Sequence, residues 1–348
     1  MPSESPNDPI GEAVQAGSLK PKANLGLLPP TDIWERIRRG FAMPDLDSEL
    51  VRDREQWYAA RPDYMLRMTE RSRRYIFHIV EELERRLARF KHVESVVVFQ
   101  SGFAANAGTV AAVLTKDDVI ISDELNHASI IDGARLSRAT IKVFPHRDAG
   151  AARRIVEELP RGQRALIITD GVFSMDGDLG ALPALCDLAD DRGCIMMGDE
   201  AHASGGFGRN GRGTVDHFGL HGRVAIQVGT LSKAVGVLGG YVAGSRALRE
   251  LLTQRARPFL FSTSHPPAVA AACLEAIRIF EDSPALHERL WSNTRRFKAE
   301  LTRLGFDTGS SETPITPVIV GDSEAAIRFS DRLFESGVFA TSVVYPTV

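Results

Sequence analysis

Beyond residue 90 the chain alternates between two textures. Short runs that are apolar almost throughout, SVVVFQ (95–100), DVIIS (118–122), TIKVF (140–144), ALIITD (165–170), CIMMGD (194–199), VAIQVGT (224–230) and GGYVAG (239–244), are separated by stretches with helical spacing such as PALCDLADDRG (183–193). A strand that is apolar on both faces needs cover on both faces, and intervening helices supply it. The pattern therefore predicts an α/β fold: a mostly parallel sheet of seven strands with helices on both sides. These elements delimit a large domain over 91–283.

The flanks read differently. Residues 1–30, rich in Pro, Gly, Ser and Asn, are expected to be a disordered lead-in. Thr31 is a candidate N-cap, and 31–90 reads as a helical region that Pro62 should interrupt, because proline removes an amide donor and crowds the preceding turn. After Pro284 a helix (285–305), a strand (TPITPVIVG, 313–321), a second helix (323–337) and a last strand (VFATSVV, 338–344) suggest a partial, smaller α+β domain over 284–348.

Composition narrows the class. A length of 348 residues, 43% hydrophobic and 25% charged, is ordinary for a soluble globular enzyme. The net charge of −3 offers no basic surplus for nucleic acid or an anionic membrane. No run of about 18 apolar residues suggests a membrane span. The start carries no signal-peptide pattern, and Cys186, Cys194 and Cys273 lack metal-ligand spacing, so the expectation is a cytoplasmic protein with reduced thiols and no metal.

Polar residues cluster just after the apolar runs, where open α/β sheets bind ligands. In FQSGFAAN (99–106), Ser101 and Gly102 close a strand and open a helix, so the N–H groups of Gly102 and Phe103 can face an anion; a plain strand-to-helix turn is the simpler alternative. His127 in SDELNHASIIDG (122–133) stands at a helix start, where capping would also explain it. TDGVFSMDGD (169–178) is a polar loop in which Ser174 and Asp170 either line a ligand or make a turn. GDEAHASGGFG (198–208) places Asp199 at a strand end with His202 three residues on; an ATPase reading of Asp-Glu-Ala-His needs a phosphate loop of the form GxxxxGK[ST], which is absent. In GTLSKAVGVLGG (229–240), Lys233 lies among Leu231, Ala234, Val235 and Val237. Such surroundings suit either a snorkelling lysine or a buried amine whose lowered pKa makes it a nucleophile.

Taken together, an amine, an acid at a strand end, an anion cradle and a flat ring are the parts that pyridoxal 5′-phosphate (PLP) requires. The strings FQSGFAANAG, SDELNHASIIDGARLS, TDGVFSMDGD, GDEAHASG, GTLSKAVGVLGGY and RPFLFSTSHPPAV resemble those of the α-oxoamine synthases, the acyl-CoA-dependent family of fold-type I PLP enzymes, from about residue 87 to 348. The resemblance is closest to its glycine C-acetyltransferase and 8-amino-7-oxononanoate synthase branch. It implies that Lys233 is the Schiff-base lysine and proton-transfer base, Asp199 pairs with the pyridinium nitrogen and His127 stacks on the ring. Ser174 and His202 would approach the ring's phenolic oxygen. Ser101, Gly102, Phe103 and Thr230 would hold the phosphate, with Ser262 or Thr263 contributed by the second subunit of a homodimer. The implied reaction condenses a small amino acid, glycine or alanine, with an acyl-CoA. An aminotransferase sharing the same PLP site, or a catalytically incomplete hybrid, are the alternatives.

Two departures accompany the resemblance. Residues 28–86 (LPPTDIWERIRRGFAMPDLD and REQWYAARPDYMLRMTERSRRYIFHIVEELERR) resemble instead the amino-terminal helical region of membrane-bound lytic murein transglycosylases. The chain ends at YPTV, before the stretch in which the family carries the arginine that grips the amino acid's carboxylate. An incomplete substrate site is the expectation.

Overall fold

Each of the seven apolar runs becomes a strand. The computed structural model describes residues 70–344, and its elements in chain order are α1 (Glu70–Lys91), β1 (Ser95–Phe99), α2 (Gly102–Val113), β2 (Val119–Asp123), α3 (Ala128–Ser137), β3 (Thr140–Phe144), α4 (Ala149–Glu157), β4 (Ala165–Asp170), α5 (Leu182–Arg192), β5 (Ile195–Asp199), α6 (Thr214–His217), β6 (Ile226–Thr230), β7 (Gly240–Gly244), α7 (Arg246–Arg255), α8 (Arg257–Leu260), α9 (Pro267–Asp282), α10 (Pro284–Arg303) and α11 (Ser323–Glu335). The expected lead-in over 1–30, the N-cap at Thr31 and the break at Pro62 lie outside the described residues, as does most of the segment likened to the transglycosylases. The described end of that segment is the first part of α1.

The strands form one sheet in the order β1-β7-β6-β5-β4-β2-β3, with β2 to β6 mutually parallel. Strand β7 runs antiparallel to both β1 and β6. Two reversals restore direction, so β1 points the same way as β6 and its carboxyl end joins the edge where β2, β4, β5 and β6 also end. That edge is where the loops of an α/β sheet converge on a ligand.

Alternation along the strands divides the core between the two faces. Ile120, Leu166, Ile168, Ile195, Met197, Ile226 and Val228 pack with α2, α3 and α7 on one side. Ile121, Ile167 and Met196 pack with α4 and α5 on the other. Both sets are buried, which is why these strands read as continuous apolar runs rather than as alternating ones. Strand β3 is the exception: at the sheet edge, Thr140, Ile141 and Val143 stay exposed. Helix α1 covers β1 and β7 with Leu83, Leu87 and Phe90, spaced four and three residues apart on one helix face, against Val96, Val98, Tyr241 and residues of α9. Leu87 is 2% exposed, and truncating such a leucine to alanine costs about 2–5 kcal/mol.

The carboxy-terminal expectation is corrected. Helices α10 and α11 form where the spacing indicates, but neither 313–321 nor 338–344 is a strand. Strand runs become strands only by pairing, and these have no ladder partner among the described residues. Pro314 and Pro317 bring no N–H, and the first segment's backbone donates one cross-segment bond, Ile319 N to Asp307 O (2.9 Å).

Candidate active site

The polar residues singled out above gather at the shared carboxyl edge of the sheet. Ser101 is the N-cap of α2, its hydroxyl accepting from Ala104 N at 3.1 Å. The next two N–H groups, those of Gly102 and Phe103, find no acceptor among the described residues. They open a twelve-residue helix and lie beside the end of β6, since a Cβ on Gly102 would meet Thr230 Cβ at 3.3 Å. Thr230 Oγ1 donates to Gly239 O (3.0 Å) and sits 2.8 Å from Ser232 Oγ. A Cβ on Gly240 would fall 2.6 Å from Gly102 N, so the close approach of β7 to this turn needs a glycine. Free N–H groups, two hydroxyls and a helix start make a cradle for an anionic group such as a phosphate.

Asp170 and Asp199 end adjacent strands as register partners, both buried. Burial first, then repulsion from Asp199, holds Asp170 well above the usual carboxylate range; the His127 N–H donated to it at 3.1 Å only moderates this. Burial also raises Asp199, but Asn106 Nδ2 (2.5 Å) and Ala201 N (2.8 Å) donate to its two oxygens, and Lys233 and His127 favour its charge. Burial therefore pushes Asp170 up further, while the neighbours of Asp199 favour its charged form more. A charged, anchored carboxylate at this position can hold a proton on a heterocyclic nitrogen.

Lys233 follows β6 in the loop to β7. The expectation of a buried lysine is corrected: Lys233 is exposed, yet the surrounding protein desolvates the ammonium and lowers its pKa, against the pull of Asp199 and then Asp170. That pull places all three groups within electrostatic reach of one another. The Lys233 amine makes no hydrogen bond or ion pair with another described residue, which leaves it available to a carbonyl. His202, two residues past Glu200, is pushed down to about 4 by burial and then by Lys233 and His127, so it is neutral at pH 7.

His127 caps α3, as its place before a helix suggested, accepting from Ser129 N at Nδ1 (3.2 Å). Capping and ligand contact are compatible, because Nδ1 turns toward the helix while the exposed ring face stays free. Ser174 is half-buried in the turn between the bridged residues Val172 and Leu179. Ser262 and Thr263 stand apart after α8: Ser262 Oγ pairs with Ser264 Oγ (2.8 Å), and neither residue hydrogen-bonds to the cluster. Sequence reasoning missed Asn106 and Ser129, which join Asp199 to His127. A signal was present: Asn106 is the one amide in a helix otherwise built of Gly, Ala, Val, Phe and Thr.

Known proteins resemble this chain over most of its length. Residues 44–348 match the family Aminotransferase class I and II. An 8-amino-7-oxononanoate synthase from Symbiobacterium thermophilum is 62% identical over 271 residues, covering 78% of this chain and 69% of that protein. Serine palmitoyltransferase from S. paucimobilis, solved with a bound PLP–myriocin adduct, superposes with a TM-score of 0.73 at 33% identity, over 76% of this chain and 69% of that one. The 8-amino-7-oxononanoate synthase of Francisella tularensis superposes with a TM-score of 0.68 at 29% identity, over 77% of this chain and 78% of that one.

Proposed function

We infer the reaction from family membership: the chain belongs to the aminotransferase class I and II family. We propose that it is a PLP-dependent acyltransferase of the α-oxoamine synthase type, which joins the α-carbon of glycine or alanine to the acyl group of an acyl-CoA. CoA leaves as the thiol, and CO2 is lost when the condensation is decarboxylative. The 62% identity to an 8-amino-7-oxononanoate synthase supports this branch over a plain aminotransferase. The observation that supports the site is the gathering of Asp199, Lys233 and the open N–H groups of α2 at the carboxyl edge of one sheet.

The residues fit the cofactor. Bound there, PLP supplies an aldehyde for an amine and an electron-accepting ring for a carbanion. Gly102 and Phe103 N–H with the hydroxyls of Ser101 and Thr230 would hold its phosphate. Asp199 would keep a proton on the ring nitrogen, His127 would lie against the ring, and Ser174 and neutral His202 would donate toward its phenolic oxygen. The Lys233 amine, with its lowered pKa, would form the covalent link and afterwards take and return the α-proton. Ser262 or Thr263 would complete the phosphate site from a second copy of the chain. On this reading 91–283 is the cofactor-binding domain and 284–348 a partial smaller one. No described helix is long and apolar enough to cross a membrane, and the three cysteines are buried and form no disulfide, in keeping with a cytoplasmic enzyme.

Purified full-length protein given PLP, glycine or alanine and an acyl-CoA should release free thiol, and Lys233→Ala should release none. Amino-group transfer to a 2-oxo acid without thiol release would make the protein an aminotransferase. Failure to capture PLP would defeat both readings.

A further inference from the structure

His127 and Asp199 stand on different elements, the cap of α3 and the end of β5, yet a continuous hydrogen-bond chain joins them. Asp199 Oδ2 accepts from Asn106 Nδ2 at 2.5 Å, the same Nδ2 donates to Ser129 Oγ at 2.9 Å, and Ser129 Oγ lies 2.7 Å from His127 Nδ1. Asn106 and Ser129 are each 1% exposed, so water does not compete for these bonds.

The chain has a direction. A carboxylate can only accept, so the Asn106 amide must present its NH2 group to Asp199; turning the amide over would set its carbonyl oxygen against the charge. The second hydrogen of that NH2 group occupies a lone pair of Ser129 Oγ. The hydroxyl hydrogen is then left for the remaining neighbour, His127 Nδ1, which also receives Ser129 N–H at 3.2 Å. Two donors aimed at Nδ1 require a lone pair there, and the ring proton goes to Nε2. Asn106 Oδ1 is buried and has no partner among the described residues, so the amide is held through its NH2 group.

We propose that Asn106 and Ser129 are positioning residues that lock the plane of Asp199 and the Nε2–H form of His127 to one another, so that both cofactor-facing groups are set by one buried relay. The tautomer follows from this chain's own hydrogen bonds; the consequence for cofactor binding rests on the PLP reading above. The relay makes a distinct demand on each member. Ser129 must carry a hydroxyl, and Asn106 must carry an NH2 group with both hydrogens engaged.

The test uses the full-length chain labelled with 15N-histidine, with and without PLP, observed by long-range 1H–15N NMR above the ordinary histidine titration range. The His127 signal among nine histidines is assigned from its loss in His127→Gln. The expected result is the Nε2–H form in the wild type, a mixture of tautomers in Ser129→Ala, and recovery of the single form in Ser129→Thr. Asn106→Leu, similar in volume, should weaken PLP binding at least about tenfold by equilibrium dialysis, the effect of removing a donor from a buried carboxylate. A wild-type His127 protonated on Nδ1, or a tautomer unmoved by Ser129→Ala, overturns the proposal, and so does PLP affinity in Asn106→Leu within about twofold of wild type. Should Asn106→Leu fail to fold, the wild-type and Ser129 spectra still decide. A wild type that does not bind PLP refutes the functional reading while the tautomer measurement stands.

Discussion

Lys91 and Glu200 form an ion pair of 3.0 Å in which the two side chains are 1% and 0% exposed. Burial opposes the Lys91 charge most strongly, but the Glu200 charge and hydrogen bond, with Tyr241 and Asp216, outweigh it and raise its pKa. Glu200 is the residue after Asp199, so the pair ties the end of β5 to the end of α1. Thr214 N (3.1 Å), Thr214 Oγ1 and Val215 N (3.4 Å) also donate to the carboxylate, and Lys91 donates to Arg212 O. Gly213 must be a glycine here, because its Cβ would fall 1.6 Å from Glu200 Oε2.

Removing one partner of this pair strands a buried charge. Lys91→Met should therefore lower unfolding free energy by about 3–5 kcal/mol, and Lys91→Met combined with Glu200→Gln should recover part of the loss. Urea unfolding of the three proteins measures both. A single variant as stable as wild type would contradict the role given to the pair.

Gly205 illustrates how tightly the loop after β5 packs on the loop that carries Lys233. Its φ is +87°, and a Cβ there would lie 2.3 Å from Ala234 Cβ. Gly205→Ala should lower both stability and PLP affinity, by displacing the neighbour of Lys233. Gly219→Ala, with φ of +66° and open space around it, should cost only the backbone term of about 1–2 kcal/mol and leave PLP affinity unchanged. Thermal melts paired with dialysis separate the two outcomes.

His146 is held between two carboxylates, with Nδ1 3.0 Å from Asp123 Oδ1 and Nε2 3.0 Å from Asp178 Oδ2. Burial works against its charge, but the two hydrogen bonds prevail and raise its pKa. A raised histidine stabilises the fold fully below its unfolded value near 6.5, and that contribution is lost as pH rises through the folded value. The stability difference between wild type and His146→Gln should therefore shrink as pH climbs above neutrality, in denaturant titrations across that range.

His202 has the opposite sign. Its folded value of about 4 lies below the ordinary 6.5, so the unfolded chain takes up the proton first. Stability is unaffected above about pH 6.5 and declines as pH falls from there to about 4, by at most about 3 kcal/mol. His202→Gln should flatten this acid-side decline. An unchanged slope would show that the imidazole is not desolvated as the structure has it.

How far the fold could be read in advance differed by element. The runs at 95–100, 165–170 and 194–199 became β1, β4 and β5 because each is buried on both faces by helices, so local composition and tertiary environment agree. The runs at 313–321 and 338–344 have similar composition but no ladder partner among the described residues, and pairing is a property of the neighbour rather than of the run. Lys233 could be singled out by its apolar surroundings, but its accessibility could not, because its neighbour Ala234 lies against Gly205 of a different loop.

What the sequence determined alone was the alternation of apolar runs with helical stretches, and with it the sheet, its two covered faces and the places where polar residues interrupt the pattern. Asp199, His127 and Lys233 were visible there because each is a polar residue at the end of an apolar strand or among apolar neighbours. Only the tertiary structure decided how they act on one another. How strongly burial raises Asp170 and Asp199 is tempered by donors from Asn106, Ala201 and His127. The orientation of His127 depends on Ser129 and on an amide from another helix. Hydrogen bonds and Coulomb interactions fall off with distance through space, not along the chain, and folding is what sets that distance.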